Sequence, residues 1–364
     1  MTPPAGGAEE VRVMLVDDSA TIRAALSRLL AAEPGIRVVH AAADGRAALA
    51  ALAQVEPDVV LLDLEMPVMD GMTALPLILK AAPQAAVIVA SALTQRGAKA
   101  AIAALAAGAA DYVPKPQGAA GGAADPAFRT ELIAKLRGWA RKKRLDRVGA
   151  PARAPAAPPP SPRSLPPARW RPALVAIGSS TGGPQALAEL VARLPPLAVP
   201  VVVVQHMPAG FTAMLAEHLD RLGPLRCAEA REGEPLSPGR IFLAPGERHL
   251  LLQAVAEGAP RLRLTTDPPE NFCRPAVDPM LRSAVAACGG RVLAVILTGM
   301  GQDGLAGCRA VVQAGGQVLA QDEASAVVWG MPGAVARAGL ATLLAPPAQL
   351  AERIAALAAE RVPA

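Results

Sequence analysis

The sequence predicts a two-domain α/β protein in which each half builds a mostly parallel β-sheet covered by helices. In both halves, short apolar runs of strand length alternate with stretches of helical period, as parallel strands with helical crossovers require. Aromatic residues make up 2% of the chain although hydrophobic residues make up 52%, so Ala, Val, Leu and Ile must fill the cores, which suits α/β layers. At 364 residues the chain exceeds the roughly 250 at which a single core stops growing.

In the first half the runs are Val11–Val16, Ile22–Leu30, Val38–Val39, Ala47–Leu52, Val59–Leu62, Val87–Val89, Ala98–Ala106 and Tyr112–Val113. From Gly149 to Pro172 the composition changes to Pro, Ala, Arg and Ser, including Pro158-Pro159-Pro160, and reads as a linker. Beyond it the strand candidates are Leu174–Ile177, Val201–Val204, Ile241–Leu243, Val292–Leu297 and Val318–Leu319. The expected division is a first domain at 1–135, a helix end and Pro/Ala-rich linker at 136–172, and a second domain at 173–364.

The four cysteines, Cys227, Cys273, Cys288 and Cys308, show no metal-ligand spacing and read as reduced thiols. Met1–Glu10 lacks the features of a secretory signal, and no run of about 18 apolar residues occurs. A cytoplasmic protein without membrane insertion is expected. A net charge of +5 is a mild basic excess and no nucleic-acid signature.

Chemistry-bearing residues fall where predicted strands end, the edge at which open α/β sheets place their sites. Asp17 and Asp18 follow Val11–Val16, Asp63 follows Val59–Leu62, and Lys115, with Pro116 after it, follows Tyr112–Val113. Each aspartate alone would pass for a helix or turn cap. Clustered carboxylates at one edge invite a hard cation such as Mg²⁺, which points to a metal-assisted phosphoryl acceptor with Asp63 as nucleophile. The strings V-D-D-S-A and L-D-L-E-M-P-V-M-D-G, with Ser91 after a strand and the later K-P, resemble the receiver domain of two-component response regulators over about residues 10–135. That resemblance implies a flavodoxin-like doubly wound sheet with Asp63 as phosphorylation site and a histidine kinase as phosphodonor. It also implies Asp17, Asp18 and Asp63 as Mg²⁺ ligands, Ser91 as switch hydroxyl and Lys115 as phosphate contact.

In the second half, Leu174–Ile177 runs into Gly178-Ser179-Ser180-Thr181-Gly182-Gly183-Pro184 before a helical stretch. The loop lacks P-loop and dinucleotide spacing, and Ser180 or Thr181 could equally cap the helix or serve at an oxyanion site. Of His206, His218 and His249, His206 stands at a strand end, while His218 reads as a surface residue in mid-helix. Asp303 follows Val292–Leu297 within a glycine-rich turn. Ser180, His206 and Asp303 thus fall on loops after three predicted parallel strands, where nucleophile, base and orienter could meet, and the Met300 amide between two glycines is a candidate oxyanion donor.

The strings G-S-S-T-G-G, Q-H-M-P-A-G-F-T, L-A-P-G-E-R-H, T-G-M-G-Q-D-G and E-A-S-A-V-V-W-G-M-P resemble the chemotaxis protein-glutamate methylesterases, the CheB family. The resemblance implies a Rossmann-like, mostly parallel sheet, a triad of Ser180, His206 and Asp303, and Thr181 and Met300 near the oxyanion. It further implies methylated chemoreceptors as substrate, glutaminase side activity, and no cofactor for the ester chemistry. Cys273 departs from the family, which commonly carries histidine there; it reads as a packed residue rather than a second nucleophile.

A receiver joined to a hydrolase implies control, with the unphosphorylated receiver expected to restrict access to the Ser180 edge. Two rivals are a DNA-binding response regulator, suggested by Arg137, Arg141, Lys142, Lys143, Arg144 and Arg147, and a hydrolase of small esters. The basic run reads more simply as the solvated end of the last receiver helix.

Overall fold

The computed structural model describes residues 10–115, 125–148 and 170–358. The chain divides into two compact units, 1–150 and 151–364, each considered by itself. The Pro-rich run and Pro116 lie outside the described residues, as does all of the expected linker at 149–172 except Trp170–Pro172.

In the first unit β1 (Val11–Val16), β2 (Ile36–Ala42), β3 (Val59–Asp63), β4 (Ala86–Ser91) and β5 (Asp111–Pro114) form a parallel sheet in the order β2-β1-β3-β4-β5. Central strands β3 and β4 are buried along their whole length, as expected for a parallel sheet covered on both faces. The crossovers are α1 (Ala20–Ala31), α2 (Gly45–Val55), α3 (Gly71–Ala81) and α4 (Gln95–Ala106), capped by Ser19, Asp44, Asp70 and Thr94 respectively.

Helix α5 (Pro126–Val148) runs unbroken through the expected domain end at 135. Its buried stripe of Leu132, Ile133, Leu136, Trp139 and Ala140 explains why, since three of those five residues lie beyond 135. Lys135, buried on the same helix, is ion-paired with Asp111 and Glu131.

The second unit carries a seven-stranded parallel sheet in the order β14-β13-β12-β6-β7-β9-β8. Its strands are β6 (Leu174–Ser179), β7 (Val201–Gln205), β8 (Arg226–Glu229), β9 (Arg240–Leu243), β12 (Val292–Ile296), β13 (Gln317–Gln321) and β14 (Leu343–Ala345). Strands β10 (His249–Gln253) and β11 (Arg261–Thr265) pair separately as an antiparallel ribbon. Helices α6 (Gly183–Val191), α7 (Phe211–Asp220), α8 (Val277–Cys288), α9 (Leu305–Gln313), α10 (Met331–Arg337) and α11 (Pro347–Ala358) complete it. The sequence reading omits β8, β10, β11 and β14. Strands β8 and β14 are three or four residues long and partly exposed, too short for a periodic signal.

Candidate active site

In the first unit the C-terminal strand ends gather Asp17, Asp18, Asp63, Ser91 and Lys115. One carboxylate oxygen from each aspartate lies within 4.8 Å of the others. Lys115 Nζ lies 2.5 Å from Asp63 Oδ2 and 3.5 Å from Asp17 Oδ2. Burial raises the Asp63 pKa, against the opposing pull of Lys115 and the Glu65 N–H. Ser91 is buried and donates to the Gly97 carbonyl at 2.7 Å. Three hard oxygen donors, two of them from the buried carboxylates of Asp17 and Asp63, fit Mg²⁺.

In the second unit register sets the site. Ser179 on β6 pairs with Gln205 on β7, and Gly178 with Ile296 on β12, so Ser180, His206 and Asp303 follow three adjacent strands at one sheet edge. The His206 N–H donates to the Ser179 carbonyl at 3.0 Å. Gln205, which the sequence reading passes over, fastens the two strand ends together. Its Nε2 donates to the carbonyls of Ser180 and His206 at 2.9 and 3.0 Å, and its Oε1 accepts from the Ser179 hydroxyl at 2.7 Å. A Cβ on Gly183 would fall 1.9 Å from that Oε1, so the amide clamp requires glycine there.

His206 Nε2 donates to Asp303 Oδ2 at 2.8 Å. The Cys273 thiol lies 3.4 Å from the other ring nitrogen, Nδ1. The Ser180 hydroxyl stands on the neighbouring strand end, and among the described residues no hydrogen bond joins it to His206. Burial would lower the His206 pKa, but the Asp303 carboxylate and the Cys273 thiol outweigh it and raise the value to about 9. His249, buried, is committed to structure: it accepts from the Ala276 N–H and contacts the Pro268 carbonyl. His218 is half-buried in the last turn of α7, rather than a surface residue in mid-helix.

Asp303 is buried, yet its pKa falls below the ordinary carboxylate value. Burial opposes that shift, while His206 and the N–H groups of Val277 and Asp278 overcome it. Asn271 Nδ2 adds a further donor, bridging Asp303 Oδ1 at 2.9 Å and Asp278 Oδ2 at 3.0 Å. Asn271 is a second residue missed in sequence, because it lies 32 residues from Asp303 in an irregular loop.

Thr181 and Met300 flank Ser180. The Gly299 turn passes so close that a Cβ there would fall 2.8 Å from Ser180 Cβ. Neither the Thr181 nor the Met300 N–H meets an acceptor among the described residues, whereas the Ser180 N–H is spent on the Thr298 carbonyl. Thr298 Oγ1 holds the two loops together by donating to the Thr181 carbonyl at 2.9 Å. The arrangement offers a hydroxyl, an imidazole paired with a buried carboxylate, and unpaired N–H groups at one edge, the components of acyl transfer.

A family model described as CheB methylesterase matches residues 175–354, and one described as response regulator receiver domain matches residues 13–121. A protein-glutamate methylesterase/protein-glutamine glutaminase of Rhodospirillum centenum is 48% identical, covering 98% of this chain and 96% of that relative. Its counterpart in Azospirillum brasilense is 51% identical, covering 94% of this chain and 91% of that one. The crystal structure of the Thermotoga maritima CheB methylesterase catalytic domain is 42% identical with a TM-score of 0.49, covering 50% of this chain and 97% of that one.

Proposed function

Since this chain belongs to the CheB methylesterase family and joins a receiver domain to the methylesterase domain, we propose that Ser180, His206 and Asp303 carry out its ester hydrolysis. The protein is a phosphorylation-regulated protein-glutamate methylesterase and protein-glutamine glutaminase of chemotaxis adaptation. The observation that supports this assignment of roles most strongly is the 2.8 Å His206–Asp303 pair beside a register-matched Ser180.

In this mechanism His206 takes the Ser180 proton through Nδ1, the nitrogen not engaged by Asp303, with Ser180 taking the place of the Cys273 thiol that faces it here. The serine oxygen attacks the γ-carbonyl of the esterified glutamate, and the Thr181 and Met300 N–H groups hold the developing oxyanion. The imidazolium returns its proton to the departing methoxide, methanol leaves, and water hydrolyses the acyl-enzyme by the same base. A glutamine amide follows the same route with ammonia leaving.

In the receiver, Asp63 accepts the phosphoryl group from a histidine kinase, Lys115 and Ser91 contact it, and Asp17, Asp18 and Asp63 would hold Mg²⁺. The metal, when bound, would offset the charge of the transferring phosphoryl group. The substrate is a methylated chemoreceptor and the setting is cytoplasmic; no helix among the described residues is long and apolar enough to cross a membrane. A DNA-binding output is disfavoured because the basic run is spent internally. Arg144 and Arg147 pair with Asp58, Arg137 with Glu33 and Lys142 with Asp146, while Lys143 donates to the Pro83 carbonyl.

The test is methanol release from methylated receptor. Ser180→Ala and His206→Ala should each abolish it with the fold intact, and residual activity within about tenfold of wild type in either variant would refute the triad.

A further inference from the structure

The chain has four phenylalanines; Phe128, Phe211 and Phe242 are buried, whereas Phe272 is 104% exposed. It sits in a two-residue turn closed by reciprocal backbone hydrogen bonds between Glu270 and Cys273 at 3.1 and 2.9 Å. Both central residues are left-handed, Asn271 at φ 53° and Phe272 at φ 62°. Asparagine suits that region, but a bulky aromatic does not, and its placement costs about 1–2 kcal/mol of local strain. An exposed ring and a disfavoured backbone are two local costs at one residue, and strain of this kind collects where a side chain is needed in a fixed position.

The neighbours fix that position. Glu270 makes a two-pronged ion pair with Arg282 on α8 at 2.7 and 2.6 Å. Asn271 is held by Asp303 and Asp278, Cys273 lies against His206, and Arg274 donates to the carbonyls of Thr266 and Asp267. From Glu270 to Arg274 the other four side chains each meet a partner, while Phe272 stands fully exposed on a turn whose residues touch both His206 and Asp303.

We propose that Phe272 is a specificity-determining anchor for the receptor substrate, its ring packing on an apolar side chain next to the esterified glutamate. The proposal rests on the methylesterase reading above. The occupant follows from position: the ring's chain neighbour Cys273 lies against His206, so a receptor segment that presents its carbonyl to Ser180 approaches the turn that carries the ring. Rigidly presented aromatics at the centre of an interface are the residues whose removal costs most binding. Such an anchor serves docking and no chemical step, so its loss should appear in KM and leave kcat in place.

The experiment uses the full chain and methylated receptor in membranes, with Phe272→Gly and Phe272→Asn as variants, because both residues accept positive φ and preserve the turn. Each should raise KM about tenfold or more and leave kcat within about twofold, and Phe272→Gly should melt no lower than wild type, while Phe272→Leu should keep KM within about threefold. An unchanged KM would overturn the inference. So would a fall in kcat without a change in KM, since the turn would then act only through Asn271 on Asp303. If the wild-type chain itself releases no methanol, the methylesterase reading fails first and this inference falls with it.

Discussion

At His206 two demands conflict. As the proposed base, His206 must be neutral to take the Ser180 proton, yet Asp303 and Cys273 raise its pKa to about 9, which favours the protonated ring at neutral pH. We expect kcat/KM for methanol release to climb about tenfold per pH unit below that value and to level off above it. Cys273→Ala removes one of the raising interactions, so its profile should shift to lower pH and its activity at pH 7 should increase. An unmoved profile would show that the thiol does not influence the base. The cysteine is visible in the sequence as a departure from the family, but its contact is not: Cys273 lies 67 residues from His206 on an irregular loop that no periodic pattern positions. The strand-end placement of Ser180, His206 and Asp303 is legible because each follows, within a short loop, the end of an apolar run, and the structure finds β6, β7 and β12 buried throughout.

At the level of elements, α8 begins without a cap of its own. Its N-cap residue is Ala276, and Asp303, reaching from the loop after β12, accepts from the Val277 and Asp278 N–H groups at 2.6 and 3.1 Å. One carboxylate therefore orients the base and starts a helix. Asp303→Ala should consequently cost about 0.5–2 kcal/mol of stability beyond any loss of activity, which Ser180→Ala should not. Thermal melting of the two variants side by side checks this, and equal melting would show the cap to be inconsequential. Asp303→Asn keeps one carbonyl acceptor and should retain both more stability and some methanol release. Sequence reasoning finds a cap when the capping side chain immediately precedes the helix, as Ser19, Asp44, Asp70 and Thr94 do. A cap supplied from 25 residues away leaves no such trace. The β10–β11 ribbon escapes for another reason: Arg261–Thr265 alternates charged and apolar residues, but His249–Gln253 does not, so only one of its strands shows a two-residue period.

For the whole molecule, the proposed coupling runs from Asp63 to Ser180. Phosphorylation adds charge and acceptor oxygens beside Lys115, a change a receiver can convert into altered output. Deleting residues 1–148 should raise basal methanol release, whereas Asp63→Asn should hold the full chain low even with phosphodonor and Mg²⁺ present. A deletion that lowers activity would show that the receiver also helps bind substrate. The division into two α/β units is legible from composition and alternation alone, and the helix end expected after 135 falls within α5, which continues to Val148 through the stretch rich in Arg and Lys. The order β14-β13-β12-β6-β7-β9-β8 has a final consequence. The three strands that lead into Ser180, His206 and Asp303, the proposed triad, are interior neighbours, flanked on each side by further strands, so their amides belong to the class that exchanges with solvent last. Fraying of β14 or β8 in mild denaturant would leave Ser180, His206 and Asp303 in register, and esterase activity should vanish together with the sheet and not ahead of it.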